Sequence, residues 1–236
     1  MSRTALWTSI AETLTAEIGA GHYAPGDKLP SEAEFSARFG VNRHTVRRSL
    51  AALAEAGLVH ARRGAGVFVA GRPVDYALGR RTRYHQNLAA SGRSATRELL
   101  LLDTRQADAR EAEALELPEG AQVHVYEGIS LADGVPLAVF RSVFPAGRFP
   151  SLIPLLRQTQ SVTQALAAEG LADYTRAETR LTSKRATATQ ALHLRIREGD
   201  PILRSVAINV DAGGLPVEYG HTWFAGDRVT LTVAPD

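Results

Sequence analysis

Apolar positions in the first seventy residues recur at helical spacing and are interrupted by short turns rich in glycine and proline. Leu6, Ile10, Leu14 and Ile18 share one stripe, so 6–20 reads as an amphipathic helix that stops near Gly19–Gly21. Pro25, Gly26 and Pro30 hold the loop that follows, and Ser31-Glu32-Ala33-Glu34 then opens a second helix as a capping box. Phe35 and Phe39 supply its apolar side and Gly40 stops it. Only Gly40 and Val41 precede Asn42, which caps a third helix over 42–56. Two helices joined by so short a glycine turn form the helix-turn-helix pattern. Two β-prone runs within 58–69, joined by Arg62-Arg63-Gly64-Ala65-Gly66, predict a hairpin.

Beyond residue 97 the period shifts toward strands with scattered helices. Strands are expected over 99–102, 122–131, 136–144, 175–182, 202–210, 216–224 and 229–233, and helices over 109–117, 162–168 and 187–194. Asp133-Gly134 is a hairpin turn signal. Such an order predicts an α+β domain on a mostly antiparallel sheet, following a helical N-terminal domain. The boundaries expected are 1–70 for the first domain, 71–82 for a linker containing Pro73 and two glycines, and 83–236 for the second.

Composition narrows the function classes. The 236 residues fit two modest domains, and 44% hydrophobic content is ordinary for a globular chain. There is no cysteine, which removes disulfides, thiolate catalysis and Cys-ligated zinc. No run has the length of a membrane span and the start lacks a signal-peptide core, so a soluble, cytoplasmic protein without membrane partners is expected. The net charge of +2 conceals an asymmetry: 1–98 holds 14 Lys/Arg against 8 Asp/Glu, and 99–236 holds 13 against 17. A basic first part points to a polyanionic partner for that part alone.

On the third helix Val46, Leu50 and Leu53 must face inward, leaving Asn42, Arg43, His44, Thr45, Arg47 and Arg48 outward on the first two turns. Recognition helices touch base edges mainly through such N-terminal residues, and arginine pairs bidentately with guanine or grips phosphate. Arg62 and Arg63 at a hairpin tip beside that helix form a DNA-binding wing. Gly64-x-Gly66 is no nucleotide fingerprint, because a hairpin surrounds it rather than a βαβ unit. Arg80, Arg81 and Arg83 read equally as phosphate contacts near the hinge and as a plain solvated linker. The seven histidines show no metal-ligand spacing, and neither a phosphate-binding loop nor a Gly-x-Ser-x-Gly elbow is present. No catalytic residue, metal or cofactor is therefore expected, and the chain reads as a non-enzyme.

Residues 25–32, 40–47, the Gly57-Leu58-Val59 step and the closing Gly66-Val67-Phe68-Val69 resemble the winged helix-turn-helix head of GntR-family bacterial regulators. That resemblance adds Lys28, Ser31 and Gly64 to the DNA-binding set. It also marks a departure, since Ala33 stands where many members carry a contacting arginine. Leu131-Ala132-Asp133-Gly134-Val135-Pro136-Leu137, Pro216-Val217-Glu218-Tyr219 and Gly226-Asp227 resemble the UTRA effector domain of the HutC branch, which shares the chorismate lyase fold. Residues 72–78, 83–88 and Thr179-Arg180-Leu181 are similar to the phosphonate-utilisation repressors of the PhnF type within that branch.

The resemblance implies a homodimeric repressor of double-stranded operator DNA, controlled by a small anionic effector of phosphonate or phosphate type. A sugar or amino-acid derivative is the alternative effector, and a lyase-fold enzyme the distant one. Sugar-phosphate sensors of the branch grip phosphate with two arginines, and the matching positions here are Gly128 and Ser130. The effector-facing positions implied are Tyr84, His85, Ser130, Arg141, Arg180, Glu218, Tyr219 and His221, with Arg141 and Arg180 foremost, because guanidinium pairs bidentately with phosphonate oxygens.

Overall fold

The structure, a computed structural model, describes residues 6–62, 64, 66–71 and 73–234, with the Arg62 side chain outside the description. The chain divides into two compact units, Met1–Arg72 and Pro73–Asp236. The first holds helices α1 (Leu6–Gly19), α2 (Glu32–Phe39) and α3 (Arg43–Glu55), then strands β1 (Val59–Arg62) and β2 (Gly66–Val69). Ser31 caps α2 with the expected box: its hydroxyl accepts from the Glu34 amide, and the Glu34 carboxylate accepts from the Ser31 amide at 2.7 Å. Gly40 ends α2 in the left-handed region, φ 64°. Ile10 and Leu14 of α1, Phe35 of α2, and Val46, Leu50 and Leu53 of α3 form one buried core with Val59 and Val69. The loop before α2 hydrogen-bonds along β2 (Leu29 amide to Val67 carbonyl, 2.8 Å), adding a third extended segment to the hairpin.

The second unit runs β3 (Val74–Ala77), α4 (Tyr84–Ala90), β4 (Ala95–Gln106), α5 (Ala109–Ala114), β5 (Gln122–Ala132), β6 (Val135–Pro145), α6 (Leu152–Thr159), α7 (Val162–Ala168), β7 (Thr175–Arg185), α8 (Ala188–Leu194), β8 (Pro201–Val210), β9 (Pro216–Ala225) and β10 (Val229–Thr232). Six strands form an antiparallel sheet in the order β4-β5-β6-β9-β8-β7, two meanders joined edge to edge at β6 and β9. On one face α6 and α7 bury Leu152, Leu156, Ala165 and Leu166 against Tyr126, Phe140 and Phe144. Further along that face Tyr84 and Leu88 of α4 pack with Val74, Tyr76, Val229, Leu137 and Phe224. The opposite face carries α5, beside Val125 and Val143, and α8, beside Val139 and Trp223. This is the expected α+β class.

Three elements depart from expectation. The segment 71–82 is not a free linker: β3 pairs in parallel with β10, Val74 opposite Val229 through Ala77 opposite Thr232, and buries Val74 and Tyr76. Four residues were too short to show against the surrounding proline and glycines. α6 was unforeseen because it contains Pro154; at the third helical position the missing N–H removes no intrahelical bond. β4 spans 95–106, well beyond the leucine run: on this edge strand the polar residues come in consecutive runs, Thr96 to Glu98 and Asp103 to Gln106, which carry no alternating signal.

Gly128 meets a requirement that the sequence does not display. A Cβ there would stand 2.6 Å from the Glu98 carbonyl oxygen and 2.8 and 2.9 Å from Phe140 ring carbons. The aromatic ring thus fills the space that a side chain at 128 would occupy.

Candidate functional site

The first unit offers a basic surface on α3 and the hairpin. Asn42 caps α3, its Oδ1 accepting from the Thr45 amide at 2.8 Å and the Thr45 hydroxyl at 3.0 Å. Asn42 and Thr45 thereby fix the helix start, and Arg43 and His44 stand exposed on its first turn. Arg47 is held by Glu32 of α2 in a bidentate pair, Nε to Oε1 at 2.9 Å and an η-nitrogen to Oε2 at 2.8 Å. The hydrogen bonds from Arg47 hold the Glu32 carboxyl below its ordinary range. The Arg48 guanidinium lies 4.5 Å from the Trp7 ring centroid, stacked on α1 rather than standing free.

In the hairpin, Arg62 opposes Gly66 and Gly64 occupies the turn with φ 75°. Lys28 is exposed and runs over Gly66, where a Cβ would meet its Cε at 2.8 Å. Ser31 is occupied by its capping box. Arg63 lies outside the described residues. No helix among the described residues is long and apolar enough to cross a membrane.

The second unit contains a cavity of about 240 Å³ on the α6–α7 face of the sheet. Of the expected effector residues, Tyr84, His85, Ser130 and Glu218 line it. Tyr84 is a wall rather than a donor, since its hydroxyl is buried against the Leu131 carbonyl at 2.5 Å. Burial pushes that phenol above its ordinary pKa. His85 is exposed beside it, and partial desolvation together with the positive Arg97 lowers its pKa. The Glu218 carboxylate accepts from the Ser142 hydroxyl and from Asn209 Nδ2, each at 2.6 Å.

Arg141, Arg180, Tyr219 and His221 face away from the cavity, so the structure does not bring them together with Tyr84, His85, Ser130 and Glu218 as expected. Arg141 opposes His221 across β6 and β9, and Val143 opposes Tyr219, on the face turned from Phe140, Ser142 and Glu218. Arg141 is engaged there with Glu111 at 3.0 Å and Glu127 at 3.4 Å. Arg180 opposes Val206 and pairs with Glu178 at 2.7 Å on an exposed edge. The physical reason is parity. Successive side chains alternate faces, and a bulge between Arg176 and Glu178 turns Arg176 inward and Arg180 outward.

The arginines that reach the cavity are Arg83, Arg97 and Arg176. Arg83, the first residue of the expected second domain, is buried: it donates to the Tyr174 carbonyl at 2.7 Å and stacks 3.6 Å from that ring's centroid. Its neighbour Arg81 pairs with Asp173 at 2.6 Å. Arg176 is engaged by Asn209 at 2.8 Å and Thr179 at 3.1 Å. Arg97 of β4 is different. Its guanidinium lies 4.7 Å from the Phe140 centroid and 5.1 Å from that of Tyr84, while Nε and one η-nitrogen are buried with no hydrogen-bond partner. A buried donor without a partner is costly, and a cationic one more so. The strand alternation placing Arg97 in register with Ser130 was the available signal, but the expected strand began two residues too late to include it.

A basic helix-turn-helix with a wing, followed by a cavity-bearing α+β domain, defines a transcriptional regulator. Residues 6–69 match the bacterial regulatory proteins of the gntR family and residues 90–230 match the UTRA domain, so the chain belongs to the GntR family, in its HutC-type, UTRA-bearing branch. It is 40% identical over 230 residues to an uncharacterised HTH-type transcriptional regulator of Rhizobium meliloti, covering 97% of this chain and 94% of the relative. It is 34% identical to the probable transcriptional regulator PhnF of Escherichia coli, covering 96% and 94%. The crystal structure of PhnF from Mycobacterium smegmatis superposes with a TM-score of 0.66 at 27% identity, covering 98% of this chain and 99% of that one.

Proposed function

We propose that the protein is a homodimeric repressor that releases its operator when a small anion of phosphonate or phosphate type enters the cavity of the second unit. The observation that carries the effector reading is Arg97, a half-buried arginine on the cavity wall with two buried nitrogens that have no hydrogen-bond partner. An oxyanion head supplies the acceptors that the protein itself withholds. On the DNA side, Arg43, His44 and Arg47 on α3 read the major groove. Lys28 and the wing at Arg62, Arg63 and Gly64 grip the backbone, and Arg48 contributes charge at the groove edge. Dimerisation matches two heads to inverted half-sites. Exposed Leu99, Leu100 and Leu101 on the edge strand β4 supply apolar surface for such a contact. An effector that binds the DNA-incompetent arrangement more tightly lowers operator affinity by linkage.

The test is a mobility shift on the chain's own upstream region, with and without phosphate, alkylphosphonates and sugar phosphates. Release by a phosphonate or phosphate is expected, and release only by neutral sugars or amino acids overturns the anion reading. Arg97→Ala is expected to retard the operator fragment but to stay bound when ligand is added. Arg43→Ala or Arg47→Ala should weaken specific binding by about 1–3 kcal/mol and relax sequence preference. Arg47→Ala should be the worse of the two, because it leaves Glu32 unpaired beside phosphates. Unaltered binding by both variants removes α3 as the reading helix.

A further inference from the structure

We infer that the cavity selects a short zwitterion, whose anionic head meets Arg97 and whose primary ammonium meets Glu218; the inference rests on the anion reading above and adds a second pole to it. Glu218 is the acidic side chain that lines the cavity, and no cation lies within ion-pair distance of it among the described residues. Its two hydrogen-bond donors, Ser142 and Asn209, are both neutral. Arg176, which opposes Asn209 and so stands in the same row, spends its nitrogens on Asn209 and Thr179 instead. Each Glu218 oxygen accepts one bond from these partners, which leaves further acceptor capacity for a ligand. The carboxylate is therefore fixed in place by neutral groups while its charge remains unmatched.

The strand register gives a scale for the separation of the two poles along the sheet. Arg97 stands over Phe140, and Ser142, two residues further along β6 and on the same face, donates to Glu218. Two residues of strand span about 7 Å. Roughly two or three carbon atoms between an ammonium and an oxyanion, with a hydrogen bond at each end, bridge such a gap. Phe140 and Tyr174 also line the cavity and supply apolar wall for the alkyl chain between the two charged ends. A bare oxyanion satisfies Arg97 and leaves Glu218 facing it with like charge. A zwitterion satisfies both.

Isothermal titration of the full chain with matched pairs tests this: aminoethylphosphonate against ethylphosphonate, and β-alanine against propionate. The amine-bearing member of at least one pair should bind about tenfold or more tightly than its partner, the scale of one charge-assisted contact. Glu218→Gln should abolish that preference while binding the amine-free ligand as well as or better than the parent chain does; a thermal melt checks that the variant is folded. Equal or tighter binding of the amine-free member in both pairs overturns the zwitterion and leaves the anion reading standing, with Glu218 a mere neutraliser of the arginines. Absence of any Arg97-dependent binding of either class overturns the anion reading itself and the zwitterion with it.

Discussion

His124 shows how completely one side chain can be specified by its neighbours. Its Nε2 lies 3.0 Å from the Phe149 carbonyl, which can only accept, so Nε2 carries the proton and Nδ1 accepts from the Thr104 hydroxyl at 2.7 Å. Burial lowers its pKa below 6.5, outweighing the opposing pull of the Phe149 carbonyl. A base whose folded pKa is depressed contributes stability that is present above its unfolded pKa and lost as pH falls through the folded value. Melting temperature should therefore drop more steeply between about pH 7.5 and pH 5 in the parent protein than in His124→Gln, whose amide cannot charge. Parallel pH profiles for the two proteins would remove this account. At the same scale, a single bulge residue decided which arginines reach the cavity. Arg176 and Arg180 share parity in a regular strand, and no feature of the sequence between them announces the slip.

Elements with local punctuation were legible in advance. The α2 capping box, the Gly40 stop and the Asn42 cap each satisfy free backbone groups using residues within three positions, so the helix-turn-helix could be read from the sequence. The partners of Arg47 and Arg48 were not legible, because Glu32 and Trp7 reach them across the fold. In the second unit the Asp133-Gly134 turn and the alternating runs of β5, β6, β8 and β9 were likewise visible, and the cavity face was not. Gly128 illustrates the difference: it is one more small residue on a strand until Phe140 is seen against it. Gly128→Ala adds one methyl group between a backbone carbonyl and that ring, and should cost about 1–3 kcal/mol as overpacking. Chemical denaturation measures it directly, and pairing with Phe140→Leu should recover part of the loss. A neutral Gly128→Ala would mean that the sheet accommodates the methyl group without strain.

At the scale of the whole molecule, the expected domain start at residue 83 divides one folded body. Val74 and Tyr76 bury against Phe224 and Val229, so a chain truncated to 73–234 should melt cooperatively, whereas one truncated to 83–234 should melt several degrees lower and expose apolar surface. Equal melting temperatures would show that β3 adds nothing. Similarly, the small net charge was informative only once divided between the units, since the arginine-rich stretch belongs to α3 and the hairpin.

The parallel ladder of β3 and β10 has a mechanical meaning. Tyr76 and Val229, one from each strand, form part of the cavity wall. From Val69, the end of the wing, to Val74, the start of that ladder, the chain can extend no more than about 18 Å. A pull on the chain ahead of β3 loads that ladder in shear, so that all four paired positions must yield together rather than one after another.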